Sequence, residues 1–453
     1  MRVAIIGGGI AGLTAAQALA VAAPDAEIIV LEGSEFIGGK LRLGTVGGLT
    51  VDLGAESILA RRPEAVDLIE AVGLGDKLVH PATMSAGIWT RGAIRTMPPT
   101  VMGIPSDLDL LDASGIVAER PRSVSVPAPS EDMSVAAFVA ERVGSDIVDR
   151  LVEPLLGGVY AGDASELSLQ AVAPQIAALG DDLLEGAKAA RARAAAAGPV
   201  FAGLIGGVGQ LPQAVADASG AEIRTNATVR QLVRTDDGWD LTVGPTIDSE
   251  IVHADAVIVA APATAAARLL AESAPDAAFA LAGIGYASMA VITFVMPRSA
   301  FPALPPGSGF LVPPVDGKAI KAATFSSIKW DWVGEAAGED TIVFRCSIGR
   351  AGETALLQRD DAELIDIALL DLHEAIGITG KPIDALVTRW GGGLPQYNVG
   401  HLERIATIDA DIALVPGLEV CGAAYRGVGI PAVISSAQGA AARLLSDLAK
   451  MKA

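Results

Sequence analysis

The sequence predicts an α/β fold with one parallel-sheet domain assembled from distant pieces of the chain, a mixed β domain and a helical subdomain. Three observations point there. A β-branched run leads into a glycine turn and an Ala/Leu-rich stretch at the start of the chain. Strand-like runs followed by small residues recur near its middle and its end. Helical periodicity and alternating β runs occupy separate stretches between them.

The first element is Arg2-Val3-Ala4-Ile5-Ile6, which passes directly into Gly7-Gly8-Gly9-Ile10-Ala11-Gly12 and then into a helix over Leu13 to Ala23. Gly7 permits a tight turn, Gly9 lets the backbone approach a pyrophosphate, and Gly12 lets helix and strand pack closely. The helix N-terminus offers N–H donors and a partial positive charge, and Ile10 and Ala11 of the glycine segment before it are further cofactor candidates. A second strand, Glu27-Ile28-Ile29-Val30-Leu31, ends at Glu32, where an acid accepts the ribose hydroxyls of an adenosine. This order predicts a Rossmann-like site for a dinucleotide, NAD or FAD. After Glu32 comes Phe36-Ile37-Gly38-Gly39-Lys40-Leu41-Arg42, a second glycine pair with cations beside it, suited to the far side of a long diphosphate. Val51-Asp52-Leu53-Gly54-Ala55-Glu56-Ser57 follows after a turn. This extension resembles the FAD-binding flavoproteins of the amine oxidase and phytoene desaturase superfamily, and the resemblance implies FAD rather than NAD.

At 453 residues the chain exceeds one ordinary core, so two or three domains are expected. Apolar residues make up 51%, much of it alanine. Two uncharged runs need a decision. Ala194 to Ala216 reads as loop, turn and helix start. Ala277 to Pro297 reaches the length of about 20 residues that crosses a bilayer, but Gly283 and Gly285 interrupt it, and its half from Ser288 to Met296 suits a buried strand. No membrane span is expected. A strand beginning at residue 2 leaves no room for a removable signal segment, so a cytoplasmic location is expected. Cys346 and Cys421 lie far apart, and His80, His253, His373 and His401 are scattered, so neither a disulfide framework nor a metal site is indicated. With 33 basic against 53 acidic residues, the net charge of -20 argues against nucleic acid and anionic membrane surfaces.

The parallel-sheet domain is expected from residues 1–87, 201–269 and 401–453. Gly206-Gly207-Val208-Gly209-Gln210-Leu211 and a strand over Glu222–Val229 mark its return. Ala256-Val257-Ile258-Val259-Ala260 adds a strand, and Leu418-Glu419-Val420-Cys421 adds the last, running into Gly422-Ala423 and on to Val428-Gly429-Ile430. Helical periodicity from Ser134 to Arg193, with an Ala/Arg/Lys-rich segment at 185–197, predicts a helical subdomain over 88–200. Segment 115–131, rich in Ser and Pro, reads as a surface loop. Residues 270–400 read as a mainly β, substrate-facing domain with strands Val291–Met296, Gly309–Val312, Ala319–Phe325 and Thr341–Ser347 and one amphipathic helix, Ala362–Ile376. No second GxGxxG with a trailing acid offers NADPH a place, which makes molecular oxygen the expected electron acceptor.

Four segments resemble the protoporphyrinogen/coproporphyrinogen oxidases of haem biosynthesis, in particular their Gram-positive-type bacterial branch. They are Asp52 to Pro63, Glu153-Pro154-Leu155-Leu156-Gly157-Gly158-Val159-Tyr160-Ala161-Gly162-Asp163, Leu394-Pro395-Gln396-Tyr397-Asn398-Val399-Gly400-His401, and Gly422 to Pro431. One departure is Ala55, where the family usually has proline. The resemblance implies a noncovalent FAD and oxidation of coproporphyrinogen III to coproporphyrin III, six electrons passing to oxygen in three steps. Protoporphyrinogen IX is the near alternative, and a soluble acidic chain suits the tetracarboxylate better. Another flavin amine oxidase or desaturase, or a non-catalytic binding protein like the GDP-dissociation inhibitors, are more distant readings.

Val229 is implied at the adenine. Ala260, Gly422, Ala423, Val428, Gly429 and Ile430 are implied along the cofactor, with the helix from Pro431 to Leu445 pointing its N-terminus at the flavin. Cys421 reads as a small buried strand residue rather than a covalent tether. Arg61, Arg62 and Lys329 are the candidate cations for substrate carboxylates. Tyr397 and His401 are candidates from their family-specific segment, with packing roles as the alternative. Trp330, Trp332 and Trp390 are candidate walls for the macrocycle, again against core packing. No side chain is assigned as catalytic, because the redox chemistry belongs to the cofactor.

Overall fold

The computed structural model describes all residues but 128, 130, 195–197 and 453. The end of the predicted helical segment 185–197, and two residues of the predicted loop 115–131, therefore lie outside the described residues. A five-stranded sheet forms the base of the fold, in the order Glu222–Arg224, Glu27–Leu31, Arg2–Ile6, Ala256–Val259, Leu418–Val420, with every pairing parallel. Its strands are continuous apolar runs because both faces are buried. Val3, Ile5, Ile28, Val30 and Ile258 pack under helices Ile10–Ala22, Leu211–Ser219 and Ile430–Lys452. Ala4, Ile6, Ile29, Leu31 and Val257 pack on the other side, against helices Ala263–Leu270, Pro275–Ala282 and His401–Ile412. An antiparallel sheet of Val229–Arg234, Trp239–Val243 and Glu250–Ala254 shares this second core.

Local departures from the sequence reading have local causes. The first helix begins at Ile10, because Gly9 is its extended N-cap. Glu222–Val229 is not one strand: it ends at Arg224, Asn226 turns the chain at φ 54, and Val229 starts the antiparallel sheet. Phe201–Leu204, within a run read as loop, is a strand between Ile58–Leu59 and Leu78–Val79.

The second large sheet has seven strands, in the order Asp384–Pro395, Tyr286–Pro297, Thr341–Ile348, Ile320–Thr324, Gly309–Leu311, Gly87–Thr90, Ala93–Thr96. The last two come from the start of the stretch read as a helical subdomain; the helices of that stretch begin at Leu108–Ser114. Phe294, Phe310, Phe325 and Phe344 fill the core on one face, covered by helix Asp361–Ile376. That helix starts at a capping box in which Asp360 and Glu363 each accept the other's backbone N–H. Short helices Ser326–Lys329 and Asp331–Ala337 add to the single helix expected here. The run Ala277–Pro297 divides between helix Pro275–Ala282 and the twelve-residue strand Tyr286–Pro297. Among the described residues no helix is long and apolar enough to cross a membrane.

Helices Val135–Val143, Glu153–Tyr160 and Leu183–Ala194 pack around Phe138, Leu151, Leu156 and Leu169. Tyr397, arriving from the end of the long strand Asp384–Pro395, is buried in the same cluster. The Leu394–His401 segment thus ties the helical part to the rest of the chain.

Candidate active site

At the C-terminal edge of the parallel sheet the glycine turn is fixed by contact. Gly7 has φ +111, and a Cβ there would lie 2.7 Å from the Ala260 carbonyl oxygen. A Cβ on Gly12 would lie 1.9 Å from the Gly7 oxygen, so this glycine packs helix to strand and does not border the site. Gly9 is different, since a Cβ on it would meet nothing within 4 Å. It opens onto a cavity of about 1000 Å³, as do Gly7, Ile10 and Ala11. The second glycine pair closes over the turn. Gly38 donates its N–H to the Gly8 oxygen at 2.8 Å, and a Cβ on Gly39, at φ +60, would lie 3.4 Å from the Gly9 Cα. Both line the cavity.

Glu32 also lines it, at the end of its strand. Its Oε2 accepts the Gly8 N–H at 2.7 Å and its Oε1 the Ser34 N–H at 2.8 Å, which fixes the carboxylate beside the glycine turn. Lys40 lies open to the cavity, and the protein around its ammonium lowers its pKa by desolvation. Arg42 does not reach it; its guanidinium stacks on the Phe36 ring at 4.6 Å from the centroid. Val229 and Ala260 border the same end, while Gly422, Ala423, Val428, Gly429 and Ile430 border the middle, where the helix Ile430–Lys452 begins. Gly54, Ala55, Glu56 and Ser57 form the opposite side. Ala55 donates its N–H to the Lys40 oxygen at 3.3 Å, a bond that the proline expected here could not make.

The far end is walled by the seven-stranded sheet, with Met289, Val291, Leu311, Thr324 and Trp390 facing in. Trp390 donates from Nε1 to the Leu53 oxygen at 3.3 Å. Trp330 and Trp332 pack instead with Val46 and Leu53 behind the wall. Lys329 is in the cavity wall and donates to Glu56 Oε1 at 2.8 Å and Ser57 Oγ at 2.7 Å. Arg345 approaches the other Glu56 oxygen at 3.3 Å and donates to the Gly54 oxygen at 2.6 Å. Burial acts to raise the Glu56 pKa, but Arg345 and then Lys329 override it and hold the carboxyl down at about 2. Glu56 is thus an ionised partner of two cations, and the buried Asp52 carboxylate also interacts with Arg345.

Arg61 and Arg62 are not brought to this cavity. Arg61 points its guanidinium at the Gly198 carbonyl, and Arg62 pairs with Glu64. Both stand on the turn that enters helix Pro63–Ala71, away from the sheet that forms the wall. Tyr397 and His401 are buried behind the cavity. The Tyr397 hydroxyl donates to the Ala423 oxygen at 2.6 Å and accepts from the Gly427 N–H at 2.8 Å. His401 stacks on the Tyr397 ring at 3.9 Å between centroids and bonds through Nε2 to the Tyr425 oxygen at 2.9 Å, so Nε2 carries the proton. Burial lowers its pKa to about 4. Both side chains brace the Gly422–Gly429 segment from beneath. Cys421 is buried outside the cavity lining, with burial raising its thiol pKa to about 12.

Lys321 and Arg345 were not singled out from the sequence. A signal was present: each is a lone cation inside an apolar strand, Ile320-Lys321-Ala322-Ala323-Thr324 and Ile342-Val343-Phe344-Arg345-Cys346. Such a residue must either pair internally or line a cavity.

A glycine turn at the edge of a parallel sheet, opening on a cavity that runs to a second sheet, defines a dinucleotide-dependent oxidoreductase architecture. The family described as flavin containing amine oxidoreductase matches residues 10–445, and the chain belongs to this family. Within it, a coproporphyrinogen III oxidase of Mycobacterium leprae is 38% identical over 459 residues, covering 98% of each chain. A coproporphyrinogen III oxidase of Bacillus subtilis is 31% identical over 472 residues, covering 99% of this chain and 98% of the other. A crystal structure from Exiguobacterium sp. 255-15, provisionally named a protoporphyrinogen oxidase, has a TM-score of 0.86 and 32% identity over 98% of each chain.

Proposed function

We propose that this chain is a coproporphyrinogen III oxidase of haem biosynthesis, which binds FAD noncovalently and passes electrons from the porphyrinogen to molecular oxygen. The observation that carries the reading is the continuity of the cavity, from the glycine turn to an apolar wall with cations set into it. The residues present fit the cofactor. Gly9 leaves space for a pyrophosphate beside the helix N-terminus, and Gly39 and Lys40 complete that end. Glu32 would offer its carboxylate to ribose hydroxyls, and Val229, which lines the same cavity, would offer its backbone to the adenine. Gly422, Ala423 and Val428–Ile430 would support the isoalloxazine, and the N-terminus of Ile430–Lys452 favours negative charge beside it.

When bound, the flavin supplies hydride acceptance from the substrate. The chain's own contribution is positioning. Met289, Val291, Leu311 and Trp390 offer apolar surface to a macrocycle and exclude water. Lys329 and Arg345, beside Glu56, offer N–H donors to a propionate. No metal or nucleophilic side chain is assigned a step. The test is to release flavin by acid precipitation and to follow porphyrin formation in air. FAD in the supernatant, with oxygen consumed and peroxide formed as coproporphyrin appears, is expected. A colourless protein that takes up no FAD, or flavin retained in the pellet, contradicts the reading.

A further inference from the structure

Lys321 is 4% exposed, yet it lines the cavity. Its ammonium has no ion pair among the described residues; it approaches the Met289 thioether at 3.9 Å. The neighbouring cations of the wall differ in this respect, since Lys329 and Arg345 share Glu56. The backbone explains how the side chain comes to face inward. Ile320 pairs with Ile348 and Ala322 with Ser347, so Lys321 is the additional residue of a β-bulge. A bulge places two successive residues on one side of a strand and re-aims a side chain. Ile320 and Ala323 accordingly sit in the sheet's core, whereas Lys321, Ala322 and Thr324 all line the cavity.

A buried ammonium without an anion is costly unless a ligand completes it. Burial first, and the Arg350 charge second, lower its pKa to about 7. Arg350 is itself committed to the Val312 and Ile320 carbonyls and to Glu353, so it offers Lys321 no relief. An arriving carboxylate would be the missing partner.

We propose that Lys321 is the inner carboxylate receptor of this cavity, its ammonium pairing with one propionate of the porphyrinogen as the macrocycle docks against the seven-stranded sheet. The proposal rests on the substrate reading above and adds the group that anchors the substrate at depth. Lys329 and Arg345, partly neutralised by Glu56, then serve a second carboxylate nearer the Glu56–Ser57 side.

The test uses the flavin-loaded protein and Lys321→Met, which keeps the side-chain length and removes the charge. Binding of coproporphyrin III is followed by quenching of its fluorescence, with its tetramethyl ester as the uncharged control. The expected result is about tenfold or greater weakening for the free acid, the range for losing a charge-assisted bond. The ester should bind the two proteins alike, and the kinetic loss should fall on KM more than on kcat. Flavin content and Tm guard against misfolding; Tm should hold or rise, because the variant no longer buries a charge. Equal affinity of both proteins for the free acid overturns the proposal while leaving the substrate reading intact. An equal loss for acid and ester overturns it as well, by making Lys321 a packing residue. A wild-type protein that neither binds coproporphyrin III nor oxidises its porphyrinogen overturns the substrate reading and this inference together.

Discussion

Glu153 opens the helix Glu153–Tyr160, and its carboxylate accepts the Ala164 N–H at 2.7 Å. Burial pushes its pKa up to about 7, against the opposing effect of that hydrogen bond and with the help of the Asp163 charge. The folded protein therefore holds this proton to higher pH than the unfolded chain, where a glutamate titrates near 4.5. Between those values the unfolded chain ionises first, so stability falls as pH rises and levels off above about 7. Glu153→Gln, neutral throughout, should raise Tm relative to wild type at alkaline pH and match it in acid. A Tm difference that does not vary with pH would mean that Glu153 is not the group being titrated. At this scale the sequence was readable where backbone geometry demands one residue type, as at Gly7 and Gly12, where a Cβ would collide with backbone. It misled where charge alone was the guide. Arg61 and Arg62 are adjacent cations but stand on a turn outside the cavity, whereas Lys321, a lone cation in an apolar strand, faces inward through a bulge that no local pattern announces.

Among the elements, the segment from Leu394 to His401 shows how a recognisable motif acts at one remove from the site. Tyr397 joins the Ala423 carbonyl and the Gly427 N–H through one hydroxyl, and His401 holds the Tyr425 carbonyl beside them. Tyr397→Phe would leave a part-buried carbonyl and N–H unpaired, at a cost of about 1 kcal/mol. Lower Tm and weaker flavin retention are expected, with KM for the porphyrinogen changed little once flavin is in excess. A large KM effect at full flavin occupancy would place Tyr397 on the substrate after all. Strands buried on both faces were legible as apolar runs, down to the ends of Arg2–Ile6 and Glu27–Leu31. The break at Asn226 and the short strand Phe201–Leu204 were not, because a single left-handed residue and a pairing with distant partners leave little trace in local composition.

For the whole molecule, the five parallel strands come from residues 2–6, 27–31, 222–224, 256–259 and 418–420, which fall in the three separated stretches expected to rebuild one domain. The glycine-turn end of the cavity follows from that sheet, and its geometry was largely readable. The opposite end depends on the register of seven strands drawn from residues 87–96 and 286–395, on the bulge at Lys321, and on the ion trio around Glu56. Those are long-range pairings, and sequence periodicity does not encode them. If the porphyrinogen docks as proposed, charge at the depth and the side of an apolar cavity is the basis of selection, which would favour a tetracarboxylate ring over a dicarboxylate one. Steady-state kcat/KM for coproporphyrinogen III and protoporphyrinogen IX, measured side by side on the flavin-loaded protein with peroxide monitored, tests this most directly. Coproporphyrinogen III is expected to be preferred by about tenfold or more, as for at least one additional charge-assisted contact. Equal values, or a preference for protoporphyrinogen IX, would contradict it.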